Sequence, residues 1–499
     1  RSVLSESDRE YLEDKGIVMS ASVREKAFTQ RFYLYLIMTK SAEKLYMSYA
    51  VKNSEGAVLM PSYIIRNMRK MFSHCLKVSY KDTAQQNSYV TIPRAANSFD
   101  NTEIAANVDE DIIDSLTGGR LVGSVTSFEN FAECPLRYYL RYGVDLKERE
   151  EFTFSPVNFG VVLHAVIREV CDEIKKNGES YYLISEEKRR EMVKKSVAAI
   201  TDIYQNSILK DSSRNSFMIK RMEDLADRTV WAMGEQLKCG DFVPFVFEHK
   251  FNMEVGDGDR KQLMSGTIDR VDICENGTDV YVRIIDYKTG KKDFNIVKTY
   301  YGIDIQLMVY MEAAMKLVAK MRPGKNVIPA GVFYYNISDP IVSATTESAE
   351  EIEDKIKGEL RLKGMVNSDK DIAEKMDNTE GTSLNIPVSR KADGGFDSRR
   401  SKVMNTEQFN MLGRFVDVRA IDTADRIVGG DIRRSPYKDG QFSSCDRCPY
   451  GAVCGFSVDL PGCNYRKLKK FDDEVLWNNI KEGVDENGKK MDTGAEERD

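Results

Sequence analysis

The feature that most constrains the fold of this 499-residue chain is a change of hydrophobic period near residue 243. VPFVFEHKFNMEV (243–255), KQLMSGTIDRVDIC (261–274) and DVYVRIIDYKTG (279–290) are rich in Val, Ile, Phe and Tyr and are separated by polar turns. They predict three strands. IQLMVYMEAAMKLVAK (305–320) predicts a helix, and IPAGVFYYNI (328–337) a fourth strand. A β-β-β-α-β order implies an α/β domain: a mixed sheet with helices packed on it.

Helical periodicity dominates the flanks. Upstream, residues 22–50, PSYIIRNMRKMF from Pro61, FGVVLHAVIREVCDEIKK (159–176) and most of 185–239 predict helices. Residues 81–118 are polar and mixed and read as a connection, punctuated by Gly-Gly-Arg at 118–120. In SVTSFENFAECPLRYYLRYG, Ser127 is the expected helix cap. Downstream, 349–376 and 406–427 predict helices, with a Gly/Asp/Ser-rich loop between them at 377–402. The last stretch, KEGVDENGKKMDTGAEERD, is almost free of apolar residues, so 471–499 is expected to be a charged, disordered tail.

Composition excludes some classes. With 41% apolar and 30% charged residues the chain suits a globular protein of two or three domains. No apolar run is long enough for a transmembrane helix, and RSVLSESDREYLEDKG lacks a signal core, so a cytoplasmic protein is expected. The chain opens without Met, partway through a helical pattern, and is expected to be the C-terminal part of something larger. At a formal charge of −6 it is not a DNA-coating protein, so contacts with nucleic acid must come from local basic patches or a partner.

The chemistry lies on neighbouring strands. In IIDYKTG, Asp286 and Lys288 are two apart and share a face, while Tyr287 takes the other. Asp269, in GTIDRVD, lies at the reach of a hairpin partner. Carboxylates converging on one point repel unless a cation sits between them. Mg²⁺ suits oxygen ligands, and a water it activates can attack phosphorus, with Lys288 orienting the water or stabilising the developing charge. Glu248, on the preceding strand, offers a third oxygen, and His164 follows Gly160 by four on an amphipathic helix. Gln306 and Tyr310, spaced i, i+4, point the same way. Each has a plainer reading. An exposed Asp-x-Lys is usually a solvated face, a lone helical His is usually a core residue, and Gln306 and Tyr310 suit a helix surface. Arg270 and Asp272 read as members of a structural salt bridge.

CDRCPYGAVC places Cys445, Cys448 and Cys454 at a spacing that implies a metal. The fourth ligand is either nearby Cys463 or Cys134, which lies 311 residues before Cys445 in AECPLRYY. Spacing alone leaves zinc and iron–sulfur even.

Together these residues resemble the C-terminal half of the AddB family, one of the two subunit types of bacterial ATP-dependent helicase/deoxyribonucleases. The resemblance runs over about 25–480 and rests on SVTSFENFAECPLRYYLRYGVDLKERE, Gly160-x3-His164, GTIDRVD, IIDYKTG, Gln306-x3-Tyr310, SSCDRCPYGAVCGF and PGCNYRKLKKFDDEVLW. It implies a RecB-like PD-(D/E)xK nuclease domain at 119–470, preceded by a helicase-like remnant at 1–118. It places 4Fe–4S ligands on Cys134, Cys445, Cys448 and Cys454, leaving Cys463 out. Metal and catalytic positions fall on His164, Asp269, Asp286 and Lys288, with Gln306 and Tyr310 in support and Glu248 matching a family acid. The implied partner is an AddA-type helicase/nuclease subunit in a heterodimer that resects double-strand breaks. The nuclease is expected to trim the strand that ends 5′, and the helicase-like part to help recognise Chi. One departure is clear: no Gly-x4-Gly-Lys-Ser/Thr sequence occurs, since TGKK at 289–292 lacks the earlier Gly, so no ATP site is assigned.

Two other readings remain. One is a stand-alone iron–sulfur nuclease of the CRISPR-adaptation type. The other is a non-catalytic scaffold touching DNA phosphates through Tyr465–Lys470, a basic stretch that otherwise reads as a solvated helix face.

Overall fold

A computed structural model describes residues 6–16, 21–51, 58–73, 107–109, 111–113, 122–147, 156–203, 213–255, 262–342, 348–458 and 463–496. Contacts divide the chain into two units, 1–99 and 100–499. Most of the expected 81–118 connection, including Gly-Gly-Arg, lies outside the described residues. Its described part belongs to the second unit: Asn107 bridges Asp431, and Ile113 is buried.

The first unit contributes three described helices, α1 (Glu6–Asp14), α2 (Val23–Thr39) and α3 (Tyr63–Met71). Ser22 and Glu25 form a reciprocal capping box on α2.

The second unit opens with β1 (Val122–Ser124) and α4 (Val125–Glu133). Ser124, not the expected Ser127, caps α4: its hydroxyl accepts the Ser127 N–H, while Ser127 is buried one turn inside. Helices α5 (Pro156–Lys176), α6 (Glu186–Ile203) and α7 (Ser213–Lys238) follow. Then come β2 (Val243–Val255), β3 (Gln262–Asn276), β4 (Asp279–Lys288), α8 (Gln306–Met321) and β5 (Asn326–Asn336), in the order read from the sequence. Beyond β5 the elements differ from those expected. The single helix expected at 349–376 is α9 (Ala349–Glu359), β6 (Lys363–Asn367) and α10 (Lys370–Met376). β7 (Val403–Met404) and α11 (Thr406–Val428) follow.

β3 pairs with β2 along one edge and with both β1 and β4 along the other. The sheet continues through β5, parallel to β4 across the α8 crossover, then β6 and β7. Its strands alternate faces. Val280, Val282 and Ile284 of β4 pack with α4, α8 and α11, whereas Tyr281, Ile285 and Tyr287 pack with α5 and α7. The domain is thus a helix–sheet–helix sandwich, the α/β mixed-sheet architecture expected from the sequence. Arg270 and Asp272 form the expected salt bridge, a fully buried one that Arg283 joins at 2.9 Å.

Two C-terminal expectations are overturned. The tail at 471–499 is not disordered where described: Asp473–Glu496 is helix α12. Leu476 and Ile480 are buried in the α8/α11 core, and Val484 packs against it. A Cβ on Gly483 would meet the Phe415 ring at 2.8 Å, so a side chain there would hold the helix off. The basic stretch 465–470 is not a helix face either. Arg466–Lys467 is a strand, pairing with Tyr437–Lys438 in a separate three-stranded sheet. Among the described residues, no helix is long and apolar enough to cross a membrane.

Candidate active site

The site forms where the sheet changes phase. On β2, Phe247 packs on the α5/α7 side but Phe251 and Met253 on the opposite one, although an even spacing should keep one face. Glu248 absorbs the change with φ of +48°, a left-handed conformation inside a strand. Such backbone costs about 1–3 kcal/mol in a non-glycine residue and persists only where its surroundings hold it. On β3 the same shift falls between Ile268 and Val271, both on the α8 side.

The pairing register aligns the acids. Phe247 and His249 pair with Arg270 and Ile268, which puts Glu248 opposite Asp269. Arg270–Ile285 is the last pair of the β3–β4 ladder, and continuing that register one step sets Asp269 beside Asp286, whose carboxyl feels the Asp269 charge. Glu248, Asp269 and Asp286 therefore form a transverse row over three adjacent strands. His164, on α5, brings Nδ1 to 3.5 Å from Asp269 Oδ1 and 3.8 Å from Glu248 Oε1. Ligand atoms of His164, Glu248 and Asp269 all lie within 4.8 Å of one another, and these are the one such group among the described residues. Asp269 Oδ2 accepts the backbone N–H of Tyr287 at 2.6 Å, which ties the β3 acid to the Asp286 strand.

Asp286 is 2% exposed, and Lys288 Nζ lies 2.5 Å from its Oδ2. Gln306 Nε2 donates to Asp286 Oδ1 at 3.0 Å and to the Tyr310 hydroxyl at 3.0 Å. One helical layer supplies His164, the other Gln306 and Tyr310, and the strands supply the acids and Lys288; His164, Glu248 and Asp269 form the close group, and Asp286, held by Lys288 and Gln306, stands beside it rather than in it. Tyr310 touches Gln306 rather than an acid, wedged edge-on against Phe251.

Electrostatics fit a cation site. Burial, then the charge of Asp269, pushes Asp286 up to about 7 against the pull of Lys288. Burial and Asp269 also raise Glu248. Burial works to lower His164, but its bond to Asp269 and the charges of Asp269, Glu248 and Asp286 raise it overall. A divalent ion would offset this crowding, and the hard carboxylate set with one imidazole suits Mg²⁺ or Mn²⁺.

A carboxyl raised in the folded state stabilises the fold below its unfolded value, and that contribution disappears as pH rises through the folded one. For Asp286 the window runs from the ordinary carboxylate range up to about 7. The metal-free melting temperature should fall between about pH 5.5 and 8, and Mg²⁺ should raise it more at the higher pH. An equal Mg²⁺ shift at both pH values would contradict this.

Residues not singled out in the sequence adjoin the site. Lys292 Nζ lies 3.0 Å from Asp304 Oδ1, which also accepts the Tyr334 hydroxyl at 2.6 Å. The TGKK stretch therefore braces the segment leading into α8. Glu129 Oε1 accepts the backbone N–H groups of Ile305 and Gln306, each at 3.0 Å. Nothing in the sequence spacing marks these partners, because they meet only through the tertiary fold.

The cysteines form a second constellation. Burial pushes the Cys134, Cys445 and Cys454 thiols up, Cys445 to about 11. Cys134 is within electrostatic reach of Cys448, Cys445 of Cys134, Cys448 and Cys454, and Cys454 of Cys134 and Cys448. The backbone N–H groups of Arg137, Ser435 and Leu136 favour the Cys134 thiolate, and that of Phe456 favours the Cys454 thiolate. Cys463 is buried.

The profile of the PD-(D/E)XK nuclease superfamily matches residues 123–455. Several relatives are named as the B subunit of an ATP-dependent helicase/deoxyribonuclease. That of Clostridium acetobutylicum is 31% identical over 97% of this chain and 47% of its own length. That of Caldanaerobacter subterraneus subsp. tengcongensis is 31% identical over 100% of this chain and 47% of its own. That of Clostridium botulinum strain Langeland is 30% identical over 97% and 47%. The chain spans about half the length of the curated relatives it matches.

Proposed function

The chain belongs to the PD-(D/E)XK nuclease superfamily, and from that premise we propose that it is the nuclease-bearing part of an AddB-type helicase/deoxyribonuclease subunit. In this reading it hydrolyses single strands at broken DNA ends, trimming the strand that ends 5′, in the cytoplasm and in a heterodimer with an AddA-type partner. The observation that carries the reading is the row Glu248–Asp269–Asp286, with His164 at one side and Lys288 at the other. The relatives' shared name and their coverage of nearly the whole chain favour an AddB-type subunit over a stand-alone CRISPR-type nuclease.

His164, Glu248, Asp269 and Asp286 would hold a divalent cation, which supplies Lewis acidity and an activated water. The remaining steps belong to the chain's own groups. Lys288 presents its ammonium at the rim of the row, where it stabilises charge growing on a phosphodiester oxygen. Gln306 holds Asp286 Oδ1 so that the carboxylate cannot turn away, and Tyr310 holds Gln306. Asp269, bonded to the Tyr287 N–H, keeps β3 and β4 in register at the site.

We further propose that Cys134, Cys445, Cys448 and Cys454 hold a 4Fe–4S cluster. The reading follows the family resemblance, and the four thiols lie near enough to one another in the fold to be compatible with it. The N–H groups aimed at Cys134 are of the kind that stabilise cluster sulfurs.

The test is end-labelled single-stranded DNA mixed with the full chain and Mg²⁺. Label is expected to leave the 5′ end first, and chelation to stop it. Release from the 3′ end first would reject the polarity, and no cleavage by folded, metal-loaded protein would reject the nuclease in favour of the scaffold.

A further inference from the structure

Helix α8 presents Gln306 to Asp286, yet it starts without a cap of its own. Its N-cap residue is Ile305, whose side chain has nothing to offer the first-turn N–H groups. A residue 176 positions away in sequence fills that place. Glu129, half-buried on α4, accepts the Ile305 and Gln306 N–H groups through one oxygen, at 3.0 Å each. A negative charge at a helix N-terminus is also favoured by the helix dipole. Burial pushes the Glu129 carboxyl up to about 7, while the charge of Lys292, the Gln306 N–H and the charge of Lys288 all pull toward the carboxylate. Either form keeps an oxygen on the two N–H groups.

The bonded chain is short. Glu129 fixes the backbone of Gln306, the Gln306 side chain fixes Asp286 Oδ1, and Tyr310 holds the same amide. A shift of the first turn of α8 would move the amide off the carboxylate. We propose that Glu129 is a positioning residue of the nuclease site, capping α8 from another helix and so setting Gln306 against Asp286. This rests on the nuclease reading above.

The test compares Glu129→Ala, Glu129→Asp and Glu129→Gln in the full chain. Glutamine keeps an oxygen for both N–H groups, aspartate falls one methylene short, and alanine offers nothing. Glu129→Ala should lower kcat for Mg²⁺-dependent DNA cleavage about 10–100-fold, the scale of a small misplacement. Glu129→Asp should fall between, and Glu129→Gln should stay within about 3-fold of the parent. Glu129 touches no metal-holding residue directly, so Mn²⁺ affinity should fall only as far as the Asp286 carboxylate loosens, by no more than about 10-fold in the alanine variant, and should stay at the parent value in the glutamine variant. In a Gln306→Ala background, Glu129→Ala should cost no more than about 3-fold, because the two act in series.

Amide exchange at Ile305 and Gln306 should quicken in the alanine variant and stay protected in the glutamine variant. Full additivity with Gln306→Ala, wild-type kcat in the alanine and aspartate variants, or unchanged exchange would each overturn the proposal. If the unsubstituted chain cleaves no DNA, the nuclease reading fails, and exchange alone decides whether Glu129 pins the helix.

Discussion

Asp286→Ala is expected to lower Mg²⁺-dependent DNA hydrolysis by about 10³-fold or more, roughly 4 kcal/mol of transition-state stabilisation, while the domain stays folded. The two halves of this expectation have one cause. The carboxylate is 2% exposed, beside Asp269, and held near neutrality by burial and that neighbour's charge. A group so placed is a poor contributor to the fold and a good one to a cation. Its removal leaves Lys288 free to reach water and leaves Gln306 bonded to Tyr310. Metal-free melting should therefore shift little or rise, whereas the metal-induced rise in melting temperature should shrink. Cleavage retained by a well-folded Asp286→Ala protein would show that the row is not the catalytic centre.

Cys134→Ala is expected to have the larger effect on stability and the smaller one on chemistry. Cys134 and Cys445 are separated by 311 residues, so a cluster joining them closes most of the domain into a loop. By the chain-entropy estimate used for cross-links, such a closure contributes about 5–6 kcal/mol. Protein purified without oxygen should be brown, absorbing near about 400 nm, and Cys134→Ala should be colourless and melt well below the parent. Cys463→Ala should keep the colour. Colourless wild-type protein with one equivalent of zinc would refute the cluster.

The parts of the fold legible in the sequence are those where a local period matches a local element. β2 to β5 and α8 stand where their apolar residues put them, because each buries a face that its own pattern defines. The Asp286–Lys288 pairing on one face was legible for the same reason, and the salt bridge of Arg270 and Asp272 from charge alone. β6 was missed because Lys363–Asn367 is five residues long between two charged helices, too short to show a period. The tail helix was missed because its composition is charged. Its apolar residues are few, but Leu476, Ile480 and Val484 recur every fourth position and make a stripe that suffices for docking.

The candidate site shows the same division. His164, Glu248, Asp269, Asp286, Lys288, Gln306 and Tyr310 were nameable from residue type and spacing. The left-handed backbone of Glu248 was not, because Glu is an unfavoured residue for it and only the surrounding strands impose it. Glu129 was not legible because its partners are backbone amides far along the chain, which leave no trace in sequence spacing.

The central claim is that the row on β2, β3 and β4, with His164, is one cation site. The most direct measurement is anomalous diffraction from crystals of the full chain grown with Mn²⁺. A single strong peak in contact with His164, Glu248, Asp269 and Asp286, lost in Asp286→Ala, is the predicted result. Manganese bound elsewhere with these four side chains bare, or a peak whose ligands exclude Asp269 and Asp286, would contradict it.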